Sequence, residues 1–167
     1  MLKEIFDRRS VRHYTSQPVE RETLVELLRA AMNAPTAKNT QEWRFIVITD
    51  RPTLDHIAEI HPFAKMMLQA QAAILVTVDV PSAYTEGHAY LDGGAAIENI
   101  LLEAVHQGLG TCWCGLAPLE ERVTSFRDCF HLPEGQVPIG VISIGYPERV
   151  RPRVDQYDEQ KVIWWEG

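Results

Sequence analysis

No stretch of this chain is apolar for long enough to cross a bilayer. Runs such as 72–78 fall far short of the ~20 residues a spanning helix needs. The opening Met1-Leu2-Lys3-Glu4 also lacks the apolar stretch of a signal peptide. Cysteine is scarce: three residues cannot all pair within one chain, so reduced thiols in the cytoplasm are expected. Basic residues are outnumbered, 16 against 23 acidic, and a net charge of −7 argues against nucleic acid as a partner. Internal repeats, low-complexity tracts and linkers are absent, so one domain over 1–167 is expected.

Familiar catalytic motifs are missing too. The six histidines show no H-E-x-x-H spacing, and there is no G-x-S-x-G elbow to present a serine nucleophile. Cys112 and Cys114 would share one face of a strand, but a zinc site needs four ligands and no others are placed to join them. No metal is therefore expected, and the two cysteines read as small buried hydrophobes. Gly108, Gly110 and Gly115 do not make a dinucleotide loop. They leave a helix and enter a strand, whereas that loop leaves a strand and opens a helix.

With 46% apolar and 23% charged residues, a packed core is expected. Leu24, Val25, Leu27, Leu28, Ala31 and Met32 recur at helical spacing, and Pro35 stops that helix. Residues 43–49 and 73–78 read as strands, the second apolar enough to be buried on both faces. Short helices are expected over 53–60 and 63–71. Asp92 is expected to cap a helix whose first turn is Gly93-Gly94-Ala95-Ala96, small enough for another backbone to approach. Gly108 or Gly110 ends it, and 111–114 (strand), 119–130 (helix) and 138–146 (strand) follow. The class is α/β or α+β.

Two local features run against the acidic average. Arg8, Arg9 and Arg12 crowd near the start, and Arg149, Arg151 and Arg153 near the end. Two basic clusters in an acidic chain suggest one anionic ligand. The segment from Pro147 carries Val162-Ile163-Trp164-Trp165. A tryptophan can bury ~150–250 Å2, so this arm (about 147–167) is expected to dock, most naturally on a second subunit.

Five ordered segments bear a resemblance. Arg8-Arg9-Ser10-Val11-Arg12-His13-Tyr14 resembles the opening motif R-R-S-x-R-x-[YF] of the nitroreductase family. Residues 35–43, Pro-Thr-Ala-Lys-Asn-Thr-Gln-Glu-Trp, are similar to its P-S-x-x-N-x-Q-P-W. Asp92 through Asn99 resembles its central helix, 108–115 its G-L-G-T-C-W-[IL]-G segment, and Ile144-Gly145-Tyr146-Pro147 with the following arginines its end. Glu42 stands where that family usually has Pro, Thr36 where it has Ser, and Cys114 where it has Ile or Leu.

The resemblance implies an α+β fold: a central mixed sheet wrapped by helices, with the C-terminal segment exchanged in a homodimer. It implies FMN as cofactor, NAD(P)H as co-substrate, and small electron-poor acceptors such as nitroaromatics or quinones, in a ping-pong reaction through flavin N5 with no catalytic side chain. It also implies the contacts. Arg8, Arg9, Ser10 and Arg12 would hold phosphate, ribityl and pyrimidine atoms, with Arg151 or Arg153 closing on the phosphate. Pro35, Thr36, Ala37 and Asn39 would come from the other subunit. Cys114, Gly115 and Leu116 would line the flavin ring, and Lys65 would sit near its N1 and O2. A planar guanidinium fork matches a phosphate bidentately, which suits the arginines to that task. A specialised flavoenzyme, such as a dehalogenase or flavin-processing enzyme, and a non-catalytic flavin-binding or sensing protein are the alternatives. The short stretch 81–90, where larger members carry an insertion, leaves the substrate open.

Overall fold

The computed structural model describes residues 2–149 and 152–167. Its centre is a four-stranded sheet of β1 (Trp43–Ile48), β2 (Ala72–Asp79), β3 (Gly110–Gly115) and β4 (Gln136–Gly145), in the order β1-β2-β4-β3. All three pairings are antiparallel. Among the described residues, a parallel element enters at the β3 edge, through an isolated bridge from Ser10 to Thr111. Five helices surround the sheet: α1 (Lys3–Asp7), α2 (Arg21–Met32), α3 (Arg51–Ile60), α4 (Glu86–His106) and α5 (Glu120–Phe130). The α+β class expected from the sequence is what the chain adopts.

Strand β2 explains the layering. Its even-numbered Ala72, Ile74, Val76 and Val78 join a core with α2 and α4. Its odd-numbered Ala73 and Leu75 join a second core with α3, α5 and the turn between α3 and β2. Alternation along a strand thus feeds both cores, and a strand covered on both faces has no place for a polar stripe. β4 does the same with one slip. Val76 faces Gly140 but Thr77 faces Pro138, which leaves Ile139 as an extra residue. That bulge reverses the parity, so Ile139 lies in the same core as Ile142 and Ile144.

The ends of the helices follow local chemistry. Asp50 accepts a hydrogen bond from the Thr53 amide at 3.0 Å, and Pro52 occupies the first turn of α3. Thr85 accepts from the His88 amide at 3.3 Å and caps α4. This corrects the expectation for Asp92, which lies two turns inside α4 rather than at its start. The long helix begins earlier because Thr85 is a good cap and 86–91 holds no proline, its single glycine, Gly87, lying in the first turn. Gly93 is needed for a different contact from the one expected. A Cβ there would collide with Ile139 Cδ1 and sit 2.9 Å from Val78 Cγ1, so side chains of the sheet, not a backbone, approach it. Gly108, at φ +75°, turns the chain out of α4. Residues 63–71 form only a single 3-10 turn, Lys65–Leu68, rather than a helix.

The arm does not dock on its own chain at its apolar end. Ile163, Trp164 and Trp165 are 86%, 74% and 89% exposed. Among the described residues, no helix is long and apolar enough to cross a membrane.

Candidate active site

The N-terminal motif is stitched to the sheet. The Val11 amide donates to the Thr111 carbonyl at 2.8 Å, and the Thr15 amide to the Tyr146 carbonyl at 2.9 Å. Tyr14 is buried between them; its hydroxyl lies 2.7 Å from Ser143 Oγ and donates to the Val11 carbonyl at 2.8 Å. Burial pushes this phenol's pKa up, so it stays a neutral donor. The ring packs on Gly145, where a Cβ would come within 2.9 Å of Tyr14 Cδ1. Tyr14 is therefore the nail that fixes the segment carrying the arginines alongside β3.

Next to this segment a cleft of about 670 Å3 opens, lined by Arg12, His13, Lys65 and Arg122 among others. That volume is in the range of small-molecule pockets. Cys112, Trp113, Cys114 and Gly115 of β3 form one wall, and His61, Phe63, Met66 and Gln69 the other. Cationic groups converge here in a chain of net charge −7. Lys65 spends one of its three protons on the Ala58 carbonyl at 3.0 Å and keeps two for a ligand. The Arg122 guanidinium lies 5.4 Å from the centre of the Phe63 ring. At Gly115 an added Cβ would meet nothing within 4 Å, so the backbone borders open space.

The Gly115 peptide is held from below. Its carbonyl accepts from Arg122 at 3.1 Å and lies 3.2 Å from His61 Nε2. The Phe63 amide donates to His61 Nδ1 at 3.2 Å. An imidazole that accepts at Nδ1 carries its proton on Nε2, so His61 is neutral and donates to Gly115. Burial, and secondarily Arg122 beside it, lower its pKa. His61 stands edge-on to both Phe63 and Phe126.

Residues 5–146 match the model of the nitroreductase family. The chain belongs to the nitroreductase family. It is 42% identical over 148 residues to a protein of Archaeoglobus fulgidus provisionally named NADH dehydrogenase/NAD(P)H nitroreductase, covering 88% of this chain and 85% of the relative. A Bacteroides thetaiotaomicron structure of the same provisional name superposes with a TM-score of 0.93 at 42% identity, over 98% of this chain and 95% of that one. A Desulfovibrio desulfuricans structure, provisionally a nitroreductase and solved in complex with FMN, superposes at 0.87 with 27% identity, over 99% and 96% of the two chains.

The residues that the resemblance assigns to the cofactor are distributed unevenly in space. Arg12, Lys65, Cys114 and Gly115 line the cleft. Arg8 does not; it is paired with Glu98 of α4 at 3.4 Å. The two basic clusters do meet: Arg9 donates to the Val154 carbonyl at 3.5 Å, and Arg153 stacks on Phe6, 4.3 Å from the ring centre. Arg151 lies outside the described residues. Ser10 is held at the β3 edge by its bridge to Thr111. Leu116 is fully buried and its amide donates to the Ile139 carbonyl at 3.0 Å, so neither its side chain nor its N–H faces the cleft.

Pro35, Thr36, Ala37 and Asn39 are not among the cleft-lining residues of their own chain. Their loop is anchored on α4 instead, where the Ala37 amide donates to Asp92 Oδ2 at 2.7 Å. Its conformation needs anchoring, because Lys38, Asn39 and Gln41 all have positive φ (53°, 57° and 51°). Each left-handed non-glycine residue costs ~1–2 kcal/mol. Glu42, where the family usually has Pro, is buried with Oε2 accepting from Thr40 Oγ1 at 2.7 Å.

Sequence reasoning missed His61, Phe63, Gln69 and Arg122. None sits in a motif, and a lone histidine at a helix end carries no signal of the peptide it will support.

Proposed function

We propose that the chain is an FMN-dependent, NAD(P)H-consuming oxidoreductase that works as a homodimer. When bound, FMN supplies a two-electron carrier that accepts hydride from the nicotinamide at N5 and passes it to an electron-poor acceptor. The observation that carries this reading is the cationic cleft beside Gly115. It combines fixed positive groups with a backbone surface that has no side chain, as a flat anionic ligand requires.

The chain's own residues divide the work. Arg12 and Lys65 offer positive charge inside the cleft, where low polarisability strengthens it. Arg8, Arg9, Ser10 and Arg153 form a second polar group nearby, suited to phosphate and ribityl oxygens. Gly115 leaves room for the ring, and His61 and Arg122 keep its peptide in one orientation. The loop with Pro35, Thr36, Ala37 and Asn39 is tied to α4 and does not line its own cleft, which suits it to complete the cleft of a second copy. The exposed Trp164 and Trp165 support the same dimer. Between β2 and α4 there is only the short turn Val80–Ser82 and a few linking residues, too little to cover the cleft. An uncovered site fits planar acceptors such as nitroaromatics and quinones.

Titrating FMN into apo-protein tests this reading. Wild type should bind FMN and become yellow, and anaerobic NADH or NADPH should bleach it. Arg12→Ala should lose a charge-assisted contact of ~1.5–3 kcal/mol, which weakens affinity ~10- to 150-fold. Equal FMN affinity in wild type and variant, or no binding at all, refutes the assignment.

A further inference from the structure

We propose that Cys112 and Cys114 form a dithiol site in the wall of the cleft that chelates a trivalent thiophilic centre of the organoarsenical class. The two residues are two apart on β3, opposite Ser143 and Val141 of β4, so their side chains leave the same face of the strand. Both line the cleft, although they are only 3% and 5% exposed. Both thiols are free, and Cys114 Sγ donates to the Phe63 carbonyl at 3.7 Å.

The surroundings favour thiolate. The neighbouring Cys114 thiol, the Arg12 guanidinium and the Ser10 hydroxyl favour negative charge on Cys112 against the cost of its burial, and lower its pKa. Cys114 moves the opposite way, because Cys112 lies beside it and because it is buried.

Geometry selects the ligand class. Two residues of extended strand separate Cα atoms by ~6.4–6.8 Å, at the far limit for a disulfide, whose usual separation is ~5.5–6 Å. A bridging atom with two bonds of ~2.3 Å, the length of a zinc–thiolate bond, spans the extra distance. A metal ion that needs four protein ligands is not served, since no group of three or more His, Cys, Asp or Glu is assembled among the described residues. The neighbouring His61 has both ring nitrogens engaged. An organoarsenical needs only two thiols, because its carbon substituent is the third ligand. With phenylarsine oxide, two As–S bonds form, two S–H bonds break, and the oxygen leaves as water. Arsenic remains trivalent and no electron is transferred.

The site adjoins the space assigned above to FMN, but capture of arsenic is read without flavin. Apo-protein is mixed with phenylarsine oxide and examined by intact mass, then denatured, alkylated with iodoacetamide and peptide-mapped beside an arsenic-free control, in which all three cysteines alkylate. One phenylarsenic group per chain is expected, with Cys112 and Cys114 protected and Cys129 alkylated. Cys112→Ser and Cys114→Ser should each weaken capture ~100-fold or more, because a two-point attachment becomes single, and Cys129→Ser should not. Protection mapping on wild type decides the matter even where a serine variant folds poorly. Absence of an adduct, protection of Cys129 instead, or undiminished capture by either folded serine variant overturns the proposal. A separate arm preloads FMN: slowed capture ties the two sites together, whereas failure of FMN to bind counts against the flavin reading and leaves the arsenic result intact.

Discussion

Acidification should destabilise this protein through one imidazole. His61 is 1% exposed and neutral, with Nδ1 occupied by the Phe63 amide and the Nε2 proton aimed at the Gly115 carbonyl. A second proton would have to displace the Phe63 N–H and would be buried beside Arg122. The folded-state pKa is accordingly lowered from 6.5. In the unfolded chain the same ring takes up its proton near pH 6.5, so below that value the unfolded state binds more protons. Stability is therefore complete above pH 6.5 and is lost as pH falls toward the folded-state pKa. While the folded ring stays neutral, the loss between pH 6.5 and 5.5 is at most about 1 kcal/mol, or ~2–4 °C in melting temperature for a chain of this size. His61→Gln is the informative comparison, since its carbonyl can accept from Phe63, its amide can donate to Gly115, and it does not titrate. Urea unfolding of both proteins at pH 8, 6.5 and 5.5 measures the difference in pH dependence, in which the other histidines and the carboxylates cancel. Wild type should lose more stability than His61→Gln on acidification. Parallel pH profiles would refute the account of His61 as a neutral buried clamp.

Two further expectations concern parts of the chain remote from the cleft. Asp92→Ala removes the 2.7 Å acceptor of the Ala37 amide and should cost ~1.5–3 kcal/mol by urea unfolding, with Asp92→Asn costing less; no change would show that the loop is held by other contacts. Removing residues from Val162 onward takes away Ile163, Trp164 and Trp165, and should shift sedimentation toward monomer and weaken FMN retention together; a truncated protein that remains dimeric and yellow would separate the arm from assembly.

Much of the frame was legible in the sequence. Helical spacing from Leu24 to Met32 and the unbroken apolar run of β2 reflect packing against immediate layers, which local periodicity records. Of the ordered motifs, Arg12, Cys114 and Gly115 line the cleft, as does Lys65, which lies outside those motifs. Local reasoning failed at Asp92 because a carboxylate before two glycines has the composition of a cap. Only the folded chain shows that Thr85 caps the helix and that Asp92 reaches across to a loop 55 residues earlier.

Tertiary structure alone decided the rest. The bulge at Ile139 depends on how β4 meets β2, and a register is a relation between strands that neither sequence segment contains. That Pro35–Asn39 does not line its own cleft depends on a tie to Asp92 of α4, distant in sequence. His61 acquires a role only when α3 brings it under Gly115, 54 residues further along the chain. Sequence fixes which groups exist and which face of an element they occupy; burial and hydrogen-bond partners arise from contacts between elements, and those determine whether a given imidazole or carboxylate is a surface charge or part of the site.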